Sequence, residues 1–359
     1  MTLQVVDAAL TNQMSRHRDE VWRWFQDVVV SYDTAYVKLC AEGNLIEPGQ
    51  SAGLGWAALG LKLCTMLRLF ELATPGFEEN LVARVQSFQL AEGPFAGQFV
   101  DREVLRQVEP RRFGIWTRRN LPVRHAETRQ AFTALYGAGH RPLYPLPTLV
   151  QSAEDVRRYL HKLDWLARPW AAGSHASLLA VFLSAGGRDD LLQTWFEVID
   201  GLFRQETGGW YLGDQQSHIQ IINGAMKVYT AYNFLEMQPP GTDKAIDFVL
   251  RVGCGEGGCN IVDGIYVLHT ATQWTEHRRD EVREFCLSMI PRIEAHRHKD
   301  GGLSYGLKGT QRDYYGAKVS KGMKGIGDLH GTKLLTWAFV LIADVLGLRE
   351  DLGWRIPVA

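Results

Sequence analysis

Two kinds of helical segment alternate along this chain, and no other feature limits the possible folds as much. DEVWRWFQDVVVSYDTAYVKLC, RRYLHKLDWLA and RRDEVREFCLSMIPRIEAH carry charge on one face. GLGWAALGLKLCTMLRLF, SHASLLAVFLSAG and HGTKLLTWAFVLIADVLGL are apolar almost all round. A helix with one apolar face suits an outer layer, whereas a helix apolar all round must be covered on every side. The 3.6-residue periodicity predicts twelve helices, over 19–42, 51–72, 77–91, 128–138, 152–167, 174–186, 188–206, 217–236, 241–253, 260–274, 278–297 and 328–348. Strand signals are scarce. The chain therefore reads as an all-α protein whose six outer–inner pairs close into an (α/α)6 toroid. Inner helices of such a ring surround a central cavity, and their N-terminal ends form one rim. We read residues 1–359 as one domain of this kind, with an irregular Arg- and Pro-rich insertion at about 101–150. Arg111, Arg112, Arg118, Arg119 and Arg124 give that insertion the means to fold over a mouth of the ring.

Local signals support the helix ends. Ser152 and Asp155 have capping-box spacing, and Gly187 and Gly347 sit where helices stop. A turn recurs as QLAEGPFAG from Gln89, QETGGWYLG from Gln205 and HKDGGLSYG from His298. Each follows an expected outer helix and precedes an expected inner one.

Composition narrows the function classes. The net charge of -1 gives no basic field for nucleic acid. No apolar run reaches the roughly 18 residues of a membrane span, and the N-terminal stretch does not read as a signal peptide. Five scattered cysteines, an odd number, do not make a disulfide framework, so a cytoplasmic setting is expected. Eleven Trp and 12 Tyr serve either a core or the walls of a cavity for apolar or sugar-like ligands.

The turns and two later segments resemble a known superfamily. Gln89-x3-Gly93-x-Phe95 has the spacing of the Gln-x3-Gly-x-Trp repeat of squalene and terpenoid cyclases, and Gln205…Gly208-x-Trp210 is one residue shorter. CNIVDGIY at 259–266 resembles the Cys-Asn-x-x-Val-Asp-Gly-Cys-Tyr segment of protein prenyltransferase β subunits, and GDLHGT at 327–332 resembles their Asp-x-Tyr-His-Thr segment. The likeness spans roughly the C-terminal two thirds. It implies the toroid, and for the metal it implies zinc or none. Asp263 and His330 fall on two zinc-ligand positions, while the Cys position is Ile265; Cys259, four residues before Asp263, is a relocated thiolate candidate. Tyr266 matches a phosphate-contacting Tyr, Asn223 stands where that family has a phosphate-contacting His, and Lys227 is placed to restore charge. The Asp-x-Asp-Asp acid and the aspartate-rich Mg2+ motif of terpenoid enzymes are both missing.

The residues themselves add a pattern. Ser174, His175, His218, Asn223, Cys259, Asp263, Asp328 and His330 all fall near expected inner-helix starts, so the ring brings them to one rim. Asp263, His330 and His175 are the acid–base candidates. Asn223, Lys227, Tyr266, Trp210, Tyr314, Tyr315, Lys318 and Asp328 are the candidates for binding substrate. Three functions follow: an enzyme of the cyclase/prenyltransferase kind on an apolar, isoprenoid-like small molecule; a carbohydrate-active toroid (uronic-acid lyase, epimerase or hydrolase); or a non-catalytic binding scaffold. The expected partner in each enzyme reading is a small molecule, and the oligomeric state is left open.

Overall fold

The computed structural model describes residues 3–108 and 121–358. Arg111, Arg112, Arg118 and Arg119 lie outside the described residues. In chain order the helices are α1 (Leu3–Val28), α2 (Leu54–Leu67), α3 (Phe77–Gln86), α4 (Arg102–Val108), α5 (Leu121–Gly137), α6 (Ala153–His161) and α7 (Pro169–Ala185). After them come α8 (Asp189–Asp200), α9 (His218–Phe234), α10 (Thr242–Val252), α11 (Gly258–Thr272), α12 (Arg279–Glu294) and α13 (Leu329–Val345). Three two-stranded antiparallel ribbons accompany them: β1 (Val29–Ser31) with β2 (Tyr36–Val37), β3 (Phe203–Arg204) with β4 (Gly209–Trp210), and β5 (Asp313–Tyr314) with β6 (Ala317–Lys318).

Six helices form a closed inner ring. α2 packs on α5, α5 on α7, α7 on α9, α9 on α11, α11 on α13, and α13 back on α2. Outside it, α3 lies on α2 and α5, α8 on α7, α10 on α11, and α12 on α11 and α13. α1 closes the seam, with His17 Nε2 3.0 Å from Thr336 Oγ1 of α13 and Arg18 Nε donating to the Leu67 carbonyl of α2 at 2.9 Å. This is the all-α toroid that the alternation predicted. Every residue of α2 is buried, as an all-round apolar sequence requires. α10 buries only Thr242, Ala245, Ile246, Phe248 and Val249, one stripe at helical spacing. Packing is closest between α7 and α9. A Cβ on Gly173 would come within 2.8 Å of the Gly224 carbonyl oxygen, so only glycine lets the two backbones meet there.

The repeated turn forms the corners of the ring. Gln89 bridges Phe99, β3 pairs with β4, and Arg297 bridges Leu303, each an antiparallel reversal after an outer helix. The Gln89 side chain fastens its corner, donating to the Gly97 and Tyr144 carbonyls at 3.0 and 2.7 Å. Gln205 does not do this and is exposed. Ser152 caps α6 by accepting from the Asp155 N–H, as the spacing predicted.

Some boundaries differ from expectation. Residues 29–42 are not helical: the β-branched run VVV enters β1, and a turn at 32–35 returns the chain as β2. α7 starts at Pro169, because proline supplies a ready-made first helical residue. The described residues of 101–150 hold α4 and α5.

Candidate functional site

The inner ring encloses a cavity of about 610 Å³. Each inner helix sends at least one polar or charged side chain into it: Lys62 from α2, Arg129 and Gln130 from α5, His175 from α7, Lys227 from α9, Asp263 from α11, and His330 and Lys333 from α13. Trp170, Leu178, Met226, Leu334 and Trp337 supply apolar wall between them.

The basic groups dominate, and among the described residues Lys62 and Lys333 have no hydrogen-bonded or ion-paired carboxylate. Lys62 Nζ donates to Gln130 Oε1 at 2.9 Å and Thr133 Oγ1 at 2.7 Å, both neutral. Arg129 donates to Thr230 Oγ1 at 2.6 Å. Lys333 Nζ rests 4.1 Å from the centre of the Trp337 ring, a cation–π contact. Burial, then repulsion from Lys333, Arg129 and Lys227, holds the Lys62 ammonium well below the usual lysine range. Burial and Lys227 likewise bring Lys333 down to about 7.

Among the described residues Asp263 is the single carboxylate lining the cavity. Its Oδ1 lies 3.7 Å from Lys227 Nζ, and its buried Oδ2 has no hydrogen-bond partner among the described residues. Burial raises its pKa to about 6, with the Lys227 charge pulling the other way.

His330 is held in one tautomer. Gln311 Nε2 donates to the Asp313 carbonyl at 2.8 Å, which turns its Oε1 toward His330 Nδ1, also at 2.8 Å. That oxygen only accepts, so Nδ1 carries the proton and Nε2 keeps its lone pair. Burial and then Lys333 and Lys227 drive the His330 pKa down to about 3, so the ring is neutral. The Tyr305 ring stacks on it, with centroids 5.2 Å apart.

Tyr315 enters from the β5–β6 turn. Tyr315 and Gly316 both have positive φ, 48° and 91°, as a two-residue hairpin requires. A non-glycine residue there is strained by about 1 kcal/mol or more, a cost met where a side chain must be aimed. Gln130, whose oxygen accepts from Lys62, lies beside the tyrosine hydroxyl. Tyr315 is 39% exposed as a residue, yet desolvation around its hydroxyl raises its pKa to about 12, so it is protonated at neutral pH.

Of the residues singled out from the sequence, Asp263, His330, His175, Lys227, Tyr315, Cys259 and Ser174 do meet in the cavity. Others do not line it. Asn223 is buried and donates to Asn260 Oδ1 at 2.8 Å. Tyr266 packs edge-on to Trp337, with its hydroxyl 2.6 Å from Asn233 Nδ2. Trp210 is core, beside Phe203 and Tyr229. Tyr314 is buried between Trp56 and Tyr315. Lys318 is exposed and paired with Asp313 at 2.6 Å. Asp328 caps α13, accepting from the Gly331 and Tyr305 N–H groups at 2.7 Å each. Arg124 is buried on α5, over the Phe95 ring. Among the described residues no group of three or more His, Cys, Asp or Glu side chains that could hold a metal ion is found, and Asp263 Oδ1 lies 3.7 Å from the Lys227 ammonium.

The residues missed were Lys62, Arg129, Gln130, Lys333 and Gln311. For Lys62 and Lys333 a signal was present, a lone lysine in an otherwise apolar stretch, as in GLKLC and GTKLL; Arg129, Gln130 and Gln311 carried none of that kind.

Among the described residues, no helix is long and apolar enough to cross a membrane. No protein-family model matches the sequence. No curated protein matches it either. A solved structure described as a polysaccharide lyase resembles it at 10% identity, over 86% of this chain and 93% of that one, with a TM-score of 0.45. A likeness that loose carries no argument about chemistry, which must come from the cavity.

Proposed function

We propose that the protein is an enzyme acting on an acidic sugar held in the ring cavity, moving a proton beside the sugar's carboxylate as a lyase or epimerase does. One observation carries this reading: a histidine with a free Nε2 lone pair faces a cavity ringed by Lys62, Arg129, Lys227 and Lys333. A C–H bond next to a carboxylate is a weak acid. Cations on the carboxylate oxygens stabilise the electron pair that flows into them when the bond breaks. In this reading Arg129, Lys227 and Lys62 hold the carboxylate, His330 Nε2 takes the proton, and Tyr315 gives one to the leaving oxygen or to the opposite face. Asp263 holds Lys227 in place.

The apolar wall made by Trp170, Leu178, Met226, Leu334 and Trp337 favours a second reading, an isoprenoid chain with an anionic head. The resemblance to terpenoid cyclases and prenyltransferases supports the same alternative. A thermal-shift screen of uronic-acid oligosaccharides against prenyl diphosphates separates the two. The acidic-sugar reading expects stabilisation by the uronides, with the ultraviolet absorbance of an unsaturated product or loss of the C5 proton to solvent deuterium. A shift with prenyl diphosphates alone overturns it, and uronide binding without turnover leaves only a scaffold.

A further inference from the structure

We infer that the ligand of this cavity carries a second anionic group beside its carboxylate, a sulfate or phosphate ester, and that it draws protons into the protein as it binds. The inference rests on the acidic-sugar reading and adds the charge of the substrate to it. Its basis is a mismatch within the ring. The groups facing Lys62 and Lys333 from the helices around them are Arg129 on α5, His175 on α7, Lys227 on α9, Cys259 and Asp263 on α11, and His330 on α13, with Tyr315 from the hairpin. Among the described residues five Lys or Arg side chains line the cavity, the exposed Arg168 among them, against one carboxylate, and that carboxylate sits by Lys227. Lys62 is held by two neutral oxygens and Lys333 by a ring face. One sugar carboxylate satisfies one or two of these cations and leaves the others buried without an anion, a costly arrangement. A second oxyanion meets them.

Proton uptake follows from the same geometry. In the free protein, crowding and burial depress the affinity of Lys62 and Lys333 for protons. An oxyanion against them reverses the sign of the local field, so protons pass from buffer to amine as the ligand enters.

The test is isothermal titration calorimetry on the full chain at pH 8, in HEPES and in Tris, whose ionisation heats differ. The probes are the unsulfated chondroitin disaccharide, its 6-sulfate, glucuronic acid 1-phosphate and inorganic pyrophosphate. The sulfate and the phosphate should each bind about ten-fold tighter than the unsulfated disaccharide, with a buffer-dependent heat reporting net proton uptake. Lys62→Met and Lys333→Met, checked for folding by circular dichroism, should each shrink both the preference and the uptake. Preference for one ester over the other identifies which oxyanion the site takes. Equal affinity for all three sugars, or tight binding with no buffer dependence, overturns the inference and leaves the acidic-sugar reading standing. Pyrophosphate binding with proton uptake while no sugar binds does the reverse. No binding by any probe overturns both.

Discussion

The entrances to α11 and α13 differ in one respect that separates architecture from chemistry. Each places an aspartate near the start of an inner helix, Asp328 as the N-cap of α13 and Asp263 in the second turn of α11. Both are buried, and burial raises both to a pKa of about 6. Asp328 is saturated: Oδ1 accepts from Gly331 N–H, and Oδ2 accepts from Tyr305 and Gln311 N–H at 2.7 and 3.1 Å. Asp263 faces one ammonium at 3.7 Å and leaves Oδ2 unpartnered among the described residues. A buried carboxylate spent on backbone N–H groups builds a corner. One left unspent, against a cavity, is available to a ligand or a proton.

Substitutions test that contrast directly. Asp328→Ala should have the largest effect, since it strands several buried N–H groups; a loss of about 3–5 kcal/mol is expected in denaturant unfolding. Asp263→Asn should leave unfolding within about 1 kcal/mol of wild type yet lower kcat/KM by roughly 100-fold. If the two variants behave alike, the contrast fails.

The same carboxylate sets a pH dependence. Asp263 loses its charge as pH falls through about 6, and Lys333 loses its charge as pH rises through about 7. The profile of kcat/KM should therefore be a narrow bell between those values, and Lys333→Met should remove its alkaline limb.

Lys62→Met is expected to stabilise the fold. A buried lysine whose folded pKa lies below its unfolded one opposes folding at every pH where the unfolded chain holds the proton and the folded one resists it. Removing it should raise the melting temperature by about 2–4 °C while weakening ligand binding. Lys318→Ala is the smallest change. Its pair with Asp313 is solvent-exposed, and a shift below about 0.5 kcal/mol is expected with no change in turnover.

The ring was readable in the sequence because burial on all sides leaves a compositional mark along a whole helix, as in α2 and α13. The N-terminal ribbon was not, because the Val28–Ser31 run fits a helical stripe as well as a strand, and pairing with Tyr36 and Val37 decides it. At the site, attention to expected helix starts found Asp263, His330 and His175, although His175 and Asp263 lie in the second turn of α7 and α11. It missed Lys62 and Arg129, which lie about two turns inside their helices. Position along an inner helix sets depth in the cavity, and depth shows only once the ring is closed. Gln311 was missed for another reason: its role is to orient His330, and it has no motif of its own.

The seam between α2 and α13 bears on how the chain folds. These helices are far apart in sequence, so joining them closes a long loop, an entropically slow event. The same event brings Lys62 toward Lys333 and Lys227, so like charges resist the final approach. A ligand that binds only the closed ring should therefore slow its reopening.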